Sequence, residues 1–219
     1  MGALTDILEI ATPHGPAHAH LRPTDGARGG LVLGHGAGGG VDAPDLVAAA
    51  RAARAAGFSV ALVEQPYRVA GRRSPAPAAQ LDAAWTAVVA ELRRGALAGV
   101  PLVAGGRSSG ARVACRTAAA TGAAGVLCLA FPVHPPGRPE KSRLDELAAV
   151  QVPVLVIQGE RDPFGMPPDA PGRTVVRIAG DHGLKADRAA LESAVAAWLS
   201  SVGGSRRRAR APRGDRAAD

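Results

Sequence analysis

Gly105-Gly106-Arg107-Ser108-Ser109-Gly110 separates an apolar run, residues 100–104, from a segment of helical character, residues 111–121. A G-x-S-x-G turn takes the chain from a strand into a helix and leaves its serine exposed on a sharp corner. Glycines flank that serine because a Cβ at either place would collide with a neighbouring strand or helix. The positive end of the following helix favours a developing negative charge. We therefore interpret Ser108 as a candidate nucleophile.

Apolar runs alternate with helical segments on both sides of this turn. Strands are expected at residues 7–11, 17–21, 30–33, 58–63, 100–104, 125–131, 152–157 and 174–178. Helices are expected at residues 45–56, 79–97, 111–121, 144–150 and 187–202. Strands that are apolar throughout and alternate with helices are typical of an α/β fold, with a mostly parallel sheet covered by helices on both faces. Ligands bind such sheets beyond the carboxyl ends of the strands.

A serine nucleophile needs a base beside it and an acid to orient that base. The chain order Ser, Asp, His points to His182, because His134 is the only other histidine after Ser108 and no strand-end acid precedes it. Asp162 is preferred to Glu160 as the acid, because Asp162 lies in the turn after the strand and its side chain can swing towards the next loop. Asp181 is expected to be a solvated neighbour of His182.

The length of 219 residues is typical of one domain that buries a sizeable core. The two cysteines, Cys115 and Cys128, fall within apolar segments and are expected to be buried thiols, which favours a reducing, cytoplasmic compartment. The first twelve residues do not resemble a signal peptide, and no apolar run is long enough to span a membrane. We expect no membrane partner, and the pattern carries no indication of an oligomeric state.

The net charge of +7 is unevenly distributed. Six arginines and two aspartates in the last fourteen residues supply four of these charges. We expect a folded domain over residues 1–202 and a disordered, Arg-rich tail over residues 203–219. Aromatic residues make up 3% of the chain, which leaves little surface for stacking on bases. Specific binding of nucleic acid is therefore not expected, whereas nonspecific attraction of polyanions by the tail is.

Three histidines near the start of the chain, His14, His18 and His20, form the one cluster that suggests a metal. In the sequence no carboxylate or cysteine accompanies them, and metal sites usually combine such ligands. We expect neither a metal nor another cofactor.

Three segments together resemble the α/β-hydrolase superfamily, over residues 7–202. They are His35-Gly36-Ala37-Gly38, Gly105-Gly106-Arg107-Ser108-Ser109-Gly110-Ala111-Arg112 and Phe131-Pro132-Val133-His134-Pro135-Pro136-Gly137. More narrowly, they resemble the small branch that includes testis-expressed hydrolase-like proteins and a subunit of a histone-acetylation complex. Dienelactone-hydrolase-like enzymes are more distant relatives.

The resemblance implies an α/β-hydrolase fold and a role for each matching residue. Ser108 would be the nucleophile, His182 the general base and then acid, and Asp162 its orienting carboxylate. The backbone N–H groups of Ala37 and Ser109 would form the oxyanion hole. The substrate would be a small molecule with an acyl group, a carboxylic ester or a thioester. Peptidase or acyltransferase chemistry would use the same residues, and a non-catalytic scaffold on the same fold is the alternative.

Two features qualify this interpretation. The connection over residues 131–152 has one short helix, where many superfamily members insert a lid, so we expect no large lid and a shallow site.

Arg107 directly precedes the nucleophile, and its charge could favour an anionic substrate. The preferred interpretation is an ion pair under the turn, with Glu64 as the suggested partner.

Overall fold

The computed structural model describes residues 6–204 of the chain. Within this part lie the strands β1 (Asp6–Ile10), β2 (Ala17–Arg22), β3 (Gly29–Gly34), β4 (Phe58–Glu64), β5 (Leu102–Arg107), β6 (Gly125–Leu129), β7 (Val154–Gly159) and β8 (Arg173–Ile178). The helices there are α1 (Pro44–Ala55), α2 (Pro66–Val69), α3 (Ala78–Arg94), α4 (Ser109–Thr117), α5 (Leu144–Ala148) and α6 (Arg188–Gly204). None of these helices is long and apolar enough to cross a membrane. Apart from the last two residues of α6, the tail predicted at 203–219 lies outside the described residues.

The eight strands form one sheet in the order β1-β2-β4-β3-β5-β6-β7-β8. Strand β2 runs antiparallel to both of its neighbours, β1 and β4, and every other neighbouring pair is parallel. The predicted fold class, a mostly parallel sheet, is confirmed. Strand β5, which carries the Ser108 turn at its carboxyl end, lies in the middle of the sheet between β3 and β6.

Helices cover both faces of this sheet. Successive residues of a strand point to opposite faces, so Leu31 and Leu33 pack on one face and Val32 on the other. Helices α1 and α6 lie on the face of Leu31, and α3, α4 and α5 lie on the face of Val32. The apolar residues that recur at spacings of three and four along α3 are all buried: Leu81, Trp85, Val88, Val89 and Leu92.

The sequence misplaces some helix ends and misses one short helix. Helix α3 ends at Arg94 rather than at residue 97, because Gly95 leaves the helical conformation. Helix α4 begins at Ser109, two residues earlier than predicted, and ends at Thr117 rather than at residue 121. The four-residue helix α2 follows β4, where no helix was expected. These shifts leave the order of the elements unchanged.

The two cysteines are buried, as predicted. Cys115 on α4 and Cys128 on β6 face each other with 3.5 Å between their sulfur atoms. The hydrogen bond with Cys115, together with burial, raises the pKa of the Cys128 thiol well above its ordinary value. This thiol therefore stays protonated at neutral pH.

Candidate active site

Ser108 occupies the junction between β5 and α4 in a conformation that side chains rarely adopt. Its backbone φ is 51° and its ψ is −109°. Such a backbone costs about 1–3 kcal/mol, which the surrounding structure must offset. The Ser108 N–H donates a hydrogen bond to the carbonyl of Leu129 on β6, at 2.9 Å. The corner is thus tied to the adjacent strand.

The glycines beside Ser108 allow two backbones to touch. A Cβ at Gly106 would lie 2.6 Å from the carbonyl oxygen of Gly34, and one at Gly110 would lie 2.3 Å from the same oxygen. Both distances are shorter than any real Cβ contact. The clearance predicted for these two glycines is therefore confirmed, and the turn rests directly on the end of β3.

Ser108, His182 and Asp162 form one chain of hydrogen bonds. His182 lies in the loop between β8 and α6, with its Nε2 3.0 Å from the Ser108 hydroxyl oxygen. Its Nδ1 lies 2.8 Å from Oδ2 of Asp162. An ionised carboxylate can only accept, so Nδ1–H donates to Asp162 and Nε2 is left to accept from the hydroxyl. The structure thus brings together three residues that are up to 74 positions apart in the sequence.

The carboxylate of Asp162 is 1% exposed and its oxygens have further donors. Oδ1 accepts from the backbone N–H of Phe164 at 2.9 Å, and Oδ2 also accepts from Nε2 of Gln158 at 2.8 Å. Gln158 itself is fully buried, near the end of β7. Sequence reasoning missed this residue, although a glutamine in an otherwise apolar buried strand is a signal of a polar partner. These contacts fix the carboxylate in the orientation that His182 requires.

The ring of Phe164 lies against His182. The two ring centroids are 4.1 Å apart and the planes are tilted by 31°. The carbonyl of Phe164 accepts a hydrogen bond from the N–H of His134, in the connection between β6 and β7. Phe164, which the sequence did not single out, therefore shields one face of the imidazole and limits its rotation.

The two alternative acids lie outside this arrangement. The side chains of Glu160 and Asp181 are exposed. Oδ1 of Asp181 accepts a hydrogen bond from the N–H of Gly183. The prediction that Asp181 is a solvated neighbour of His182 agrees with this position.

Buried side chains hold the glycine loop that follows β3. His35, 3% exposed, has Nδ1 2.8 Å from the carbonyl oxygen of Gly36 and Nε2 3.1 Å from the backbone nitrogen of Gln65. Nδ1–H therefore donates, and Nε2 accepts from the Gln65 N–H. Burial lowers the pKa of His35, which keeps the ring neutral. The hydroxyl of Tyr67 donates to the carbonyl of Ala37 at 2.7 Å.

The N–H groups of Ala37 and Ser109 are available to a ligand. Within residues 6–204, no hydrogen bond is assigned to either of them as a donor. The Ala37 N–H belongs to the same peptide group as the carbonyl that His35 holds. Because C=O and N–H point in opposite directions in a trans peptide, His35 sets the direction of this N–H. The Ser109 N–H opens helix α4, where the dipole favours an anion.

The side chain of Arg107 has a different partner from the one the sequence suggested. Its Nε lies 2.9 Å from Oδ2 of Asp45, near the start of α1, and not beside Glu64. Glu64 ends β4 opposite His18 in the antiparallel β2–β4 register, so its carboxylate faces the histidines of β2. Oε2 of Glu64 is 2.9 Å from Nε2 of His20. The ion pair predicted under the turn exists, with Asp45 in place of Glu64.

The histidines of β2 do have carboxylates beside them, contrary to the premise drawn from the sequence. Nε2 of His18 is 3.5 Å from a carboxylate oxygen of Glu9 on β1, and Glu64 lies on its other side. Strand pairing places Glu9 and Glu64 on either side of His18. Across residues 6–204, no group of three His, Cys, Asp or Glu side chains has an arrangement that could hold a metal ion.

Comparison with known proteins identifies the family of this arrangement. A family model described as "Alpha/beta hydrolase domain" matches residues 27–199. No protein among those with curated functions matches the sequence. Solved structures do match, among them an alpha-beta serine hydrolase homologue from Coxiella burnetii with a TM-score of 0.71. It is 16% identical and covers 91% of this chain and 100% of its own.

Two further structures have the same fold. A serine hydrolase without lid from Xanthomonas campestris has a TM-score of 0.70 and 24% identity, over 90% of this chain and 96% of its own. Dienelactone hydrolase from Anabaena variabilis has a TM-score of 0.68 and 17% identity, over 90% of this chain and 95% of its own. At these identities the likeness concerns the fold. The prediction of an α/β-hydrolase fold without a large lid is confirmed.

Proposed function

The chain belongs to the alpha/beta hydrolase domain family, and on this premise we propose that it is a serine hydrolase that cleaves a small carboxylic ester or thioester. Ser108 is the nucleophile, His182 the general base and Asp162 the residue that orients it. The observation that carries the proposal is the hydrogen-bond chain of 3.0 Å and 2.8 Å through the two nitrogens of His182.

Acylation begins when Ser108 Oγ attacks the acyl carbonyl and its proton passes to Nε2 of His182. Asp162, held by Gln158 and Phe164, stabilises the imidazolium that forms. The carbonyl oxygen gains a negative charge, which the N–H groups of Ala37 and Ser109 stabilise. One such donor is typically worth about 2.7–4 kcal/mol in an enzyme of this type. Nε2–H then protonates the leaving alcohol or thiol as its bond to the acyl carbon breaks.

Deacylation repeats these steps with water. His182 takes a proton from a water molecule, whose oxygen attacks the acyl carbon of the Ser108 ester. The second oxyanion collapses, the proton returns to Ser108 Oγ and the carboxylic acid leaves. The short connection between β6 and β7 favours a small or protruding acyl group over a long chain. The narrower resemblance to the testis-expressed branch, and a cytoplasmic location, stay predictions.

Covalent labelling with a fluorophosphonate tests the proposal directly. The wild-type protein should be labelled, and Ser108→Ala should not be labelled at all, because the reactive oxygen is gone. Ser109→Ala is the matched control, since it removes the adjacent hydroxyl and keeps the backbone N–H. Its labelling should match that of the wild type.

The same comparison can refute the proposal. A wild-type protein that is folded by circular dichroism and is not labelled would point to the scaffold alternative. Labelling that survives in Ser108→Ala and is lost in Ser109→Ala would move the nucleophile by one residue. If the expected pattern holds, hydrolysis of short p-nitrophenyl esters and acyl thioesters identifies the preferred leaving group.

A further inference from the structure

The guanidinium of Arg107 contacts three segments that meet at Ser108. Besides the contact of its Nε with Asp45, its Nη2 donates to the backbone carbonyl of His182 at 3.2 Å. Its Nη1 lies against Gly36, where a Cβ would be 2.8 Å away. The backbone of Arg107 itself ends β5 and leads directly into Ser108. One side chain therefore connects helix α1, the loop of His182 and the glycine loop.

Asp45 anchors this side chain from inside the protein. The carboxylate is 1% exposed, and its Oδ1 accepts from the N–H of Leu46. Burial raises the pKa of Asp45, and the positive charge of Arg107 opposes that shift. The contact between Nε and Oδ2 at 2.9 Å is an ion pair. The hydrogen bond from Nη2 then ties the same guanidinium to the backbone of His182.

The backbone of His182 has few hydrogen bonds of its own, although its ring contacts Asp162, Ser108 and Phe164. Gly180, with a φ of 117°, begins the turn, and the carbonyl of Asp181 accepts from Leu184 further along. Among the described residues, the hydrogen bond from Arg107 is the one assigned to the His182 carbonyl. A change of this backbone position would move the imidazole relative to Ser108. Misplacing a reacting group by about 1 Å can reduce a rate about 100-fold.

We propose that Arg107 is a positioning residue that holds the backbone of His182 at Ser108, and that it does not bind the substrate. This inference rests on the proposed function. All three nitrogens of the guanidinium face protein groups, and its side chain is 22% exposed. The charge of the guanidinium is already paired with the buried carboxylate of Asp45, and Nη2 is held by the carbonyl of His182. The sequence suggested two roles for Arg107, attraction of an anionic substrate and an ion pair under the turn. The structure favours the ion pair.

Arg107→Met is the variant that tests this role, with Arg112→Met as the matched control. Arg112 lies on α4 with similar exposure, and its side chain makes two hydrogen bonds to Glu146. Its backbone N–H, which donates to the Ser108 carbonyl, is kept in the variant. Each substitution removes one ion pair of an arginine. The assays are fluorophosphonate labelling and the hydrolysis of two p-nitrophenyl esters, a neutral one and one that carries a carboxylate on its acyl group.

We expect the kcat and labelling rate of Arg107→Met to fall about 10- to 100-fold, because the base is misplaced. The loss should be equal on the two esters, and KM should change less than about two-fold because substrate contacts are unchanged. Arg112→Met should keep its rates within about two-fold, since it alters no contact of the site. Arg107→Lys is the second variant in case Arg107→Met does not fold. It keeps the charge opposite Asp45 but one ammonium cannot replace three guanidinium contacts, so a loss of about ten-fold is expected.

The outcomes separate this inference from the function on which it rests. A wild type without labelling at Ser108 overturns both. Normal wild-type activity with wild-type rates in both Arg107 variants overturns the positioning role alone. A loss confined to the carboxylate-bearing ester, with a raised KM, would instead make Arg107 a substrate-binding residue. Equal rate losses in Arg107→Met and Arg112→Met would mean that Arg107 affects activity only through the stability of the fold, which would overturn the positioning role.

Discussion

Two different replacements of His35 distinguish its effect on the orientation of the glycine loop from its effect on the stability of the fold. Asparagine places an amide nitrogen where Nδ1 of the imidazole lies, and glutamine places an amide oxygen where Nε2 lies. His35→Asn therefore keeps the donor to the Gly36 carbonyl and loses the acceptor for the Gln65 N–H. His35→Gln keeps that acceptor and loses the donor. The two variants each remove one of the two hydrogen bonds of the ring.

The structure predicts that the two variants rank in opposite order for stability and for activity. In His35→Asn the N–H of Gln65, a residue 6% exposed, has lost its acceptor, at a cost of about 1–3 kcal/mol in the free energy of unfolding. In His35→Gln the Gly36 carbonyl still accepts from the Gly39 N–H at 3.2 Å, so the stability loss is smaller. The Gly36–Ala37 peptide, however, then loses its shorter hydrogen bond, the 2.8 Å contact with the imidazole, and is oriented less firmly. Loss of the Ala37 N–H from the oxyanion hole should reduce kcat about 100- to 1000-fold.

The assays are urea denaturation for stability, and fluorophosphonate labelling and p-nitrophenyl acetate hydrolysis for activity. We expect His35→Asn to be the less stable variant with rates within about ten-fold of the wild type, since its oxyanion donors are kept. His35→Gln should be the more stable and less active one. An asparagine variant that loses as much activity as the glutamine variant would refute the reasoning, because the donor from position 35 would then not orient Ala37.

Two further predictions concern stability. Gly110→Ala should lower the free energy of unfolding by about 3 kcal/mol or more, because its Cβ would meet backbone atoms of Gly34 that cannot yield. Gly38→Ala, whose Cβ meets nothing within 4 Å, is the control, and urea denaturation with equal losses in both variants would contradict the prediction. The wild type should also lose stability as the pH falls below 6.5, since His35 has a lowered pKa in the folded state and the unfolded chain takes up the proton first. In His35→Asn the free energy of unfolding should change less steeply with pH, by at most about 1.4 kcal/mol per pH unit. Equal slopes for the wild type and the variant, from denaturation curves between pH 6.5 and 5, would contradict this prediction.

Local sequence patterns were sufficient to predict the order of the eight strands, five of the six described helices and the turn at Ser108. The apolar run before the turn and the glycines at 106 and 110 are neighbours in the chain, and their effect is steric and local. The order of Ser108, Asp162 and His182 also identified three side chains that the fold brings into hydrogen-bond contact. Their catalytic roles stay predictions until labelling is done.

Long-range partners were the part that the sequence could not predict. Asp45 and Arg107 belong to elements that meet only when α1 packs on the sheet, so the spacing of charges along the chain does not reveal their contact. Glu64 faced His20 because β2 runs antiparallel to β4, a register that apolar runs alone do not determine. Gln158 supports Asp162 from a buried strand that has no other polar side chain.

The connection between β6 and β7 also bears on how this fold can diversify. Residues 136–142 are exposed, and the next helix, α5, is only five residues long. A segment inserted here would lie beside the loop of Phe164 without entering β5, α4 or the contacts of Arg107. Surface loops tolerate added length at a small entropic cost. The range of acceptable substrates could therefore change by grafting at this one place, while the residues around Ser108 stay as they are.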